Sequence, residues 1–183
     1  MKNSVLVAVV LGTLVLVGCG GKKSETKDII VTTTEAPKPK GPVKMQSYRQ
    51  TKDVMWLDKS YQVVIDRTPD DSLRMAVDET GQKYVDNHVS LRVIRADGSV
   101  FFSRSFTKST FDAYLDGDYR EGGILEGFVF DKVDGARLVF ASSVCLPQTD
   151  EYIPLVVTVS SQGEVAIRRD SQLDTNGDDD EEI

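Results

Sequence analysis

The stretch "GFVFDKVDGARLVF", residues 127–140, decides the fold. Aromatic and β-branched residues alternate with polar ones on both sides of Asp134-Gly135, the pattern of two antiparallel strands joined by a tight turn. Side chains alternate between the faces of a strand, so a one-residue slip sends the whole apolar set to the wrong face. A three-residue loop, Val133 to Gly135, pairs Phe130 with Leu138 and Phe128 with Phe140. It also sets Asp131 against Arg137 on the opposite face. A two-residue loop pairs Asp131 with Leu138 and mixes the faces. The three-residue register is the expectation, with Gly135 in the left-handed conformation that glycine adopts without steric cost.

The same test reads the other hairpins. In "LVVTVSSQGEVAI", residues 155–167, a loop of Ser161 to Gly163 pairs Val159 with Val165 and Val157 with Ile167. In "VSLRVIRADGSVFFSRSF", residues 89–106, a two-residue Asp97-Gly98 turn aligns Val93 with Phe102 and Val89 with Phe106. That register puts Arg104 on the apolar face, opposite Leu91. A charge there is costly unless paired. It either meets a carboxylate-bearing ligand, pairs with an acid, sits at a bulge, or reaches water along its aliphatic stem. Arg104 is therefore the candidate ligand contact.

Thr80-Gly81 marks a fourth turn, and further strands are expected at Tyr61–Asp66, Ser72–Val77 and Gln82–Val85. One short helix interrupts them. "STFDAYL" offers Ser109 as N-cap with Asp112 three residues on, and Phe111, Tyr114 and Leu115 on one face. A meander of hairpins hides its edges by closing or by folding over. The expected fold is mainly β, a small up-and-down β-barrel with one short helix; a β-sandwich is the alternative.

The ends of the chain read differently. Lys2, the apolar run Val5 to Val17, and Leu16-Val17-Gly18-Cys19 form a secretory signal ending in a match to the bacterial lipobox. Residues 1–18 are then a lipoprotein signal peptide, and Cys19 is the lipid attachment site, carrying diacylglycerol. Several acyl chains anchor a protein far more durably than one. The expected location is the bacterial cell envelope, lipid-anchored to a membrane, with the periplasmic or surface face open. Residues 19–45 hold six Lys and three acids in a Thr/Pro/Lys-rich linker, and residues 46–173 form the β domain. Residues 174–183 carry six acids and no base, an acidic tail.

The β domain has fifteen basic and twenty acidic residues, which argues against nucleic acid as a partner. His88 is the single histidine, and Cys145 is the one thiol besides Cys19. Neither stands in a catalytic signature, so no enzyme, cofactor or metal site is expected. Asp174, Asn176 and Asp178 match the first positions of a calcium loop, but Asp179 stands where that loop needs glycine. Trp56 with Tyr48 and Tyr61 makes either a sugar-stacking platform or a cap on the core.

The lipobox, the linker, "RADGSVFFSRSFTKSTFDAYL", "GILEGFVFDKVDGARLVFASSVCLPQTDEYIPLVVTV" and the acidic tail together resemble an uncharacterised lipoprotein family of gut Bacteroidales. That resemblance implies a lipocalin-like barrel topology and supplies no catalytic residues. The expected function is a non-catalytic binding module for a small apolar ligand or an envelope protein. The alternative is a structural accessory subunit with a solid-packed barrel.

Overall fold

A computed structural model describes residues 41–171. Cys19, the signal segment, most of the linker and the acidic tail lie outside the described residues. The elements run β1 (Tyr48–Trp56), β2 (Lys59–Pro69), β3 (Ala76–Val77), β4 (Lys83–Tyr84), β5 (Asn87–Arg95) and β6 (Val100–Phe106). A 3-10 helix (Lys108–Tyr114) and a short α-helix, α1 (Gly117–Gly122), follow. The chain continues through β7 (Ile124–Asp134), β8 (Arg137–Cys145), β9 (Tyr152–Ser160) and β10 (Val165–Arg169).

The strands do not close into a barrel. They form two four-stranded antiparallel sheets, β1-β2-β5-β6 and β10-β9-β8-β7, with β3-β4 as a separate small ladder. One core serves both large sheets: Val63, Ile65, Leu91 and Phe106 from the first meet Phe128, Leu138, Phe140 and Val157 from the second. This is the sandwich alternative.

The physical reason lies in residues 107–123. A barrel needs both free edges of one sheet, β1 and β6, to pair with the free edges of the other, β7 and β10. Here the chain leaves β6 through the 3-10 helix, which drives Phe111 and Leu115 into the core at 0% and 2% exposure. Phe111 lies 6.2 Å from Phe106 at the end of β6, and the Tyr114 carbonyl accepts from Arg169 Nε of β10 at 2.6 Å. On the opposite flank, Gln50 Oε1 of β1 accepts the Phe130 N–H of β7 at 2.8 Å. Side chains bridge that seam instead of a backbone ladder.

The registers show where local patterning sufficed. β9–β10 is as expected, with Val159 opposite Val165 and Val157 opposite Ile167. β5–β6 pairs Val93 with Phe102 and Leu91 with Arg104 as expected, but Ile94 faces Val100 across a bulge at Phe101. The turn is therefore the three-residue Ala96–Gly98, closed by Arg95 N–H to the Ser99 carbonyl at 2.8 Å, and not the two-residue one. β7–β8 departs most. Phe130 faces Phe140, Phe128 faces Ser142, and the turn is the two-residue Gly135-Ala136 between Asp134 and Arg137. A bulge at Asp131 reconciles that turn with an apolar face.

The helix begins earlier than expected. Thr107 precedes it in place of Ser109, its N–H donating to Thr110 Oγ1 at 3.1 Å. β1 was not expected as a strand: only Val54 and Trp56 of "YRQTKDVMW" are buried. It is an edge strand whose solvent face reads as loop. Val43, in the stretch read as linker, is built into the fold, with backbone bonds of 2.9 Å to Lys83 and Val85.

Candidate functional site

Arg104 lies where the register predicted, opposite Leu91, yet its side chain is exposed. β6 is a sheet edge, so the stem runs outward and the guanidinium sits 5.5 Å from the Phe106 ring. Without a barrel there is no mouth for it to guard.

Trp56 is 1% exposed, packed 5.3 Å from Tyr61 and 5.4 Å from Phe101. Tyr48 stands at the other end of β1 against Arg67. Trp56 and Tyr61 plug the core while Tyr48 is exposed, so the three offer no joint platform. His88 is half-buried in β5 opposite Thr68. Cys145 ends β8, its thiol directed at Ser143 Oγ, 3.6 Å away, and burial pushes its pKa up to about 11. A neutral, half-buried thiol is a poor nucleophile at physiological pH.

The polar chemistry that sequence reading missed is a buried cluster at the end of the sandwich away from the tight turns. Asp86, 3% exposed, forms the corner between β4 and β5. Its Oδ1 accepts two backbone N–H groups at 2.8 Å, from Asn87 beside it and from Leu125 at the start of β7. Asn87 is fully buried and donates to the Leu125 carbonyl at 2.9 Å. Lys108, 7% exposed, reaches in from the 3-10 helix and donates to the Gly123 carbonyl at 2.7 Å. Arg67 of β2 donates to the Glu126 carbonyl, which a bulge in β7 frees from its ladder. Four segments distant in sequence thus meet on one set of polar contacts.

Burial governs the charges. Desolvation raises the Asp86 pKa, opposed by the two N–H donors and by Lys108. Desolvation lowers the Lys108 pKa, opposed by Asp86 and Asp112 and reinforced by Arg74. Asn87 Oδ1 and Arg67 Nε are buried without hydrogen-bond partners.

Two of the surface depressions lie away from this cluster and a third borders it. One of about 570 Å³ on the outer face of the second sheet is lined by Arg137, Val156, Thr158, Ala166 and Arg168. Another of about 570 Å³ beside α1 is lined by Val77, Asp78, Asp118, Glu121 and Glu151. A smaller one, about 210 Å³, is lined by Met45, Tyr84, Ile124 and Glu126. Among the described residues, no group of three or more His, Cys, Asp or Glu is placed to hold a metal ion.

No curated protein matches the chain in sequence. A family described as a domain of unknown function, DUF4738, matches residues 27–167, from part of the stretch read as linker through the crossover and into β10. A match over that much of the chain is decisive: the chain belongs to the DUF4738 family.

Proposed function

We propose that the protein is a non-catalytic, lipid-anchored module of the bacterial cell envelope that meets an envelope partner with its outer surface and carries no ligand inside. The observation that supports this reading is the filled interior. Phe106, Phe111, Phe128 and Phe140 are all buried in the space that a lipocalin-like carrier would leave open, and the two depressions of about 570 Å³ described above are on the outside. Anchoring rests on the lipobox ending at Cys19.

The test is native mass spectrometry of the full chain, expressed in a lipoprotein-processing host and extracted from its membranes. The expected species carries the acyl mass and nothing more, and Cys19→Ser removes the acyl mass and releases the chain from the membrane. An adduct of small-molecule mass that denaturation strips away would overturn the filled-module reading. Retention of the acyl mass in Cys19→Ser would overturn the anchor.

A further inference from the structure

We propose that the outer face of the second sheet is a docking surface for the chain's own acidic segment, residues 174–183, held between Arg137 and Arg168. An antiparallel sheet with one face in water ordinarily turns polar residues outward. This one does not. Leu138, Phe140, Leu155 and Val157 point into the core, so their strand neighbours Val139, Ala141, Val156 and Thr158 point away from it. Ala166 of β10 pairs with Thr158 and continues the uncharged strip. Val156, only 6% exposed, and Thr158 belong to the lining of the depression of about 570 Å³ described above. The first sheet is built the other way. Next to its core residues Ile65 and Leu91 stand Asp66, Ser90 and Arg92, and Asp66 pairs with Arg49 at 3.3 Å and with Arg92 at 3.7 Å.

Charge and chain length choose the occupant. Arg137 of β8 and Arg168 of β10 line the depression, and Lys132 of β7 stands opposite Val139. Glu164 in the lining and Asp134 opposite Arg137 are the acids nearby, and the rim stays net basic. Arg168 meets Asp170 at 3.5 Å, whereas Arg137 makes no ion pair among the described residues. Residues 174–183 carry six acids and no base, and Leu173 and Ile183 flank the acidic run with side chains suited to a valine and alanine floor. The Asp170 N–H donates to the Pro154 carbonyl at 3.0 Å, so the chain leaves β10 beside the start of β9. From Pro154 to Ser160, the partner of Arg137, the face runs about 20 Å. Residues 172–183 span about 40 Å when extended, enough for a reversal and the return. Any partner of this face then has to displace the segment, which makes the contact a control on access.

Carbodiimide cross-linking, which joins an amine to a carboxylate in contact with it, tests this on the full chain. An equal mixture of unlabelled and nitrogen-15-labelled chains is used, and the products are mapped by mass spectrometry. Lys132 supplies the amine on the β7 side, and Arg168→Lys supplies one on β10 while keeping the charge. Links from these two positions to carboxylates of 174–183 within one chain are expected several-fold more often than links from Lys52 and Lys59 of the first sheet. The yield at Lys132 should fall several-fold in about 1 M salt, where screening acts beyond about 3 Å, and likewise in Arg137→Gln. Links spread evenly over the four positions, or found instead on Lys38 or Lys40, would overturn the proposal. So would mixed-isotope links, which would show that a second copy supplies the acids. A yield at Lys132 that either salt or Arg137→Gln leaves unchanged would do the same.

Discussion

Two glycines and a cysteine show how much single atoms decide. A Cβ added at Gly123 would lie 2.6 Å from the Tyr119 carbonyl oxygen and 2.8 Å from Val144 Cγ1. Backbone and core both have to move, so Gly123→Ala is expected to cost about 1–3 kcal/mol in urea unfolding, as overpacking does. At Gly127 the obstacle is the Ser143 hydroxyl, a side chain free to turn, and Gly127→Ala should cost less. The reverse order would mean that the α1–β7 junction is looser than its contacts imply. Cys145 gives a chemical counterpart. With its thiol at about 11, about one molecule in a thousand carries thiolate at pH 8, and half of the side chain is screened by packing. Ellman's reagent should modify native Cys145 slowly at pH 8 and rapidly once urea unfolds the chain. Equal rates in the two states would show that neither burial nor the raised value protects it.

At the scale of elements, the β1–β2 turn departs furthest from common turn chemistry. Leu57 and Asp58 have φ of 52° and 58°, the left-handed pair of a two-residue hairpin turn that favours Asn-Gly. Each non-glycine residue held there costs about 1 kcal/mol. The double substitution Leu57→Asn with Asp58→Gly is expected to stabilise the chain by about 1 kcal/mol, raising its thermal midpoint without altering the β1–β2 register. An unchanged midpoint would mean that exposed Leu57 gains an offsetting contact. The residues "MWLDK" carry no glycine to announce this turn, and β1 before it buries two side chains, which is why the strand could not be read from sequence. β9–β10 could be, because Gly163 and the flanking valines agree on a single register. β7–β8 lay between. Its apolar face was correctly assigned, but the pairing was two residues off, since the Asp131 bulge lets a two-residue turn keep Phe130 and Phe140 on one face. Bulges leave no local trace: the residue that is skipped is chosen by the partner strand. Asp86 and Lys108 were illegible for a related reason, being charged residues 22 positions apart with no spacing to mark them as buried until the crossover folds back.

Across the whole molecule, the question is whether two sheets joined by no backbone ladder behave as one. Phe128 of the second sheet packs 5.0 Å from Phe106 of the first and 5.8 Å from Phe140 of its own. It is 2% exposed, and its removal takes apolar contact from both layers at once. Truncations of buried phenylalanine cost about 3–5 kcal/mol, a large share of the stability of a domain this size. Trp56, the one tryptophan in the chain, lies in β1 and reports the first sheet by fluorescence, while far-UV circular dichroism reports strands of both. If the shared core makes the fold a single cooperative unit, Phe128→Ala lowers the urea midpoint of both signals together and their transitions coincide. If the sheets held themselves up separately, the Trp56 transition would stay near its wild-type midpoint while the dichroism broadened. Coincidence is the expected result, because Gln50, Arg67 and the Asp86 cluster tie the sheets along one flank and one end, and the aromatic contact at Phe128 fills the space between them.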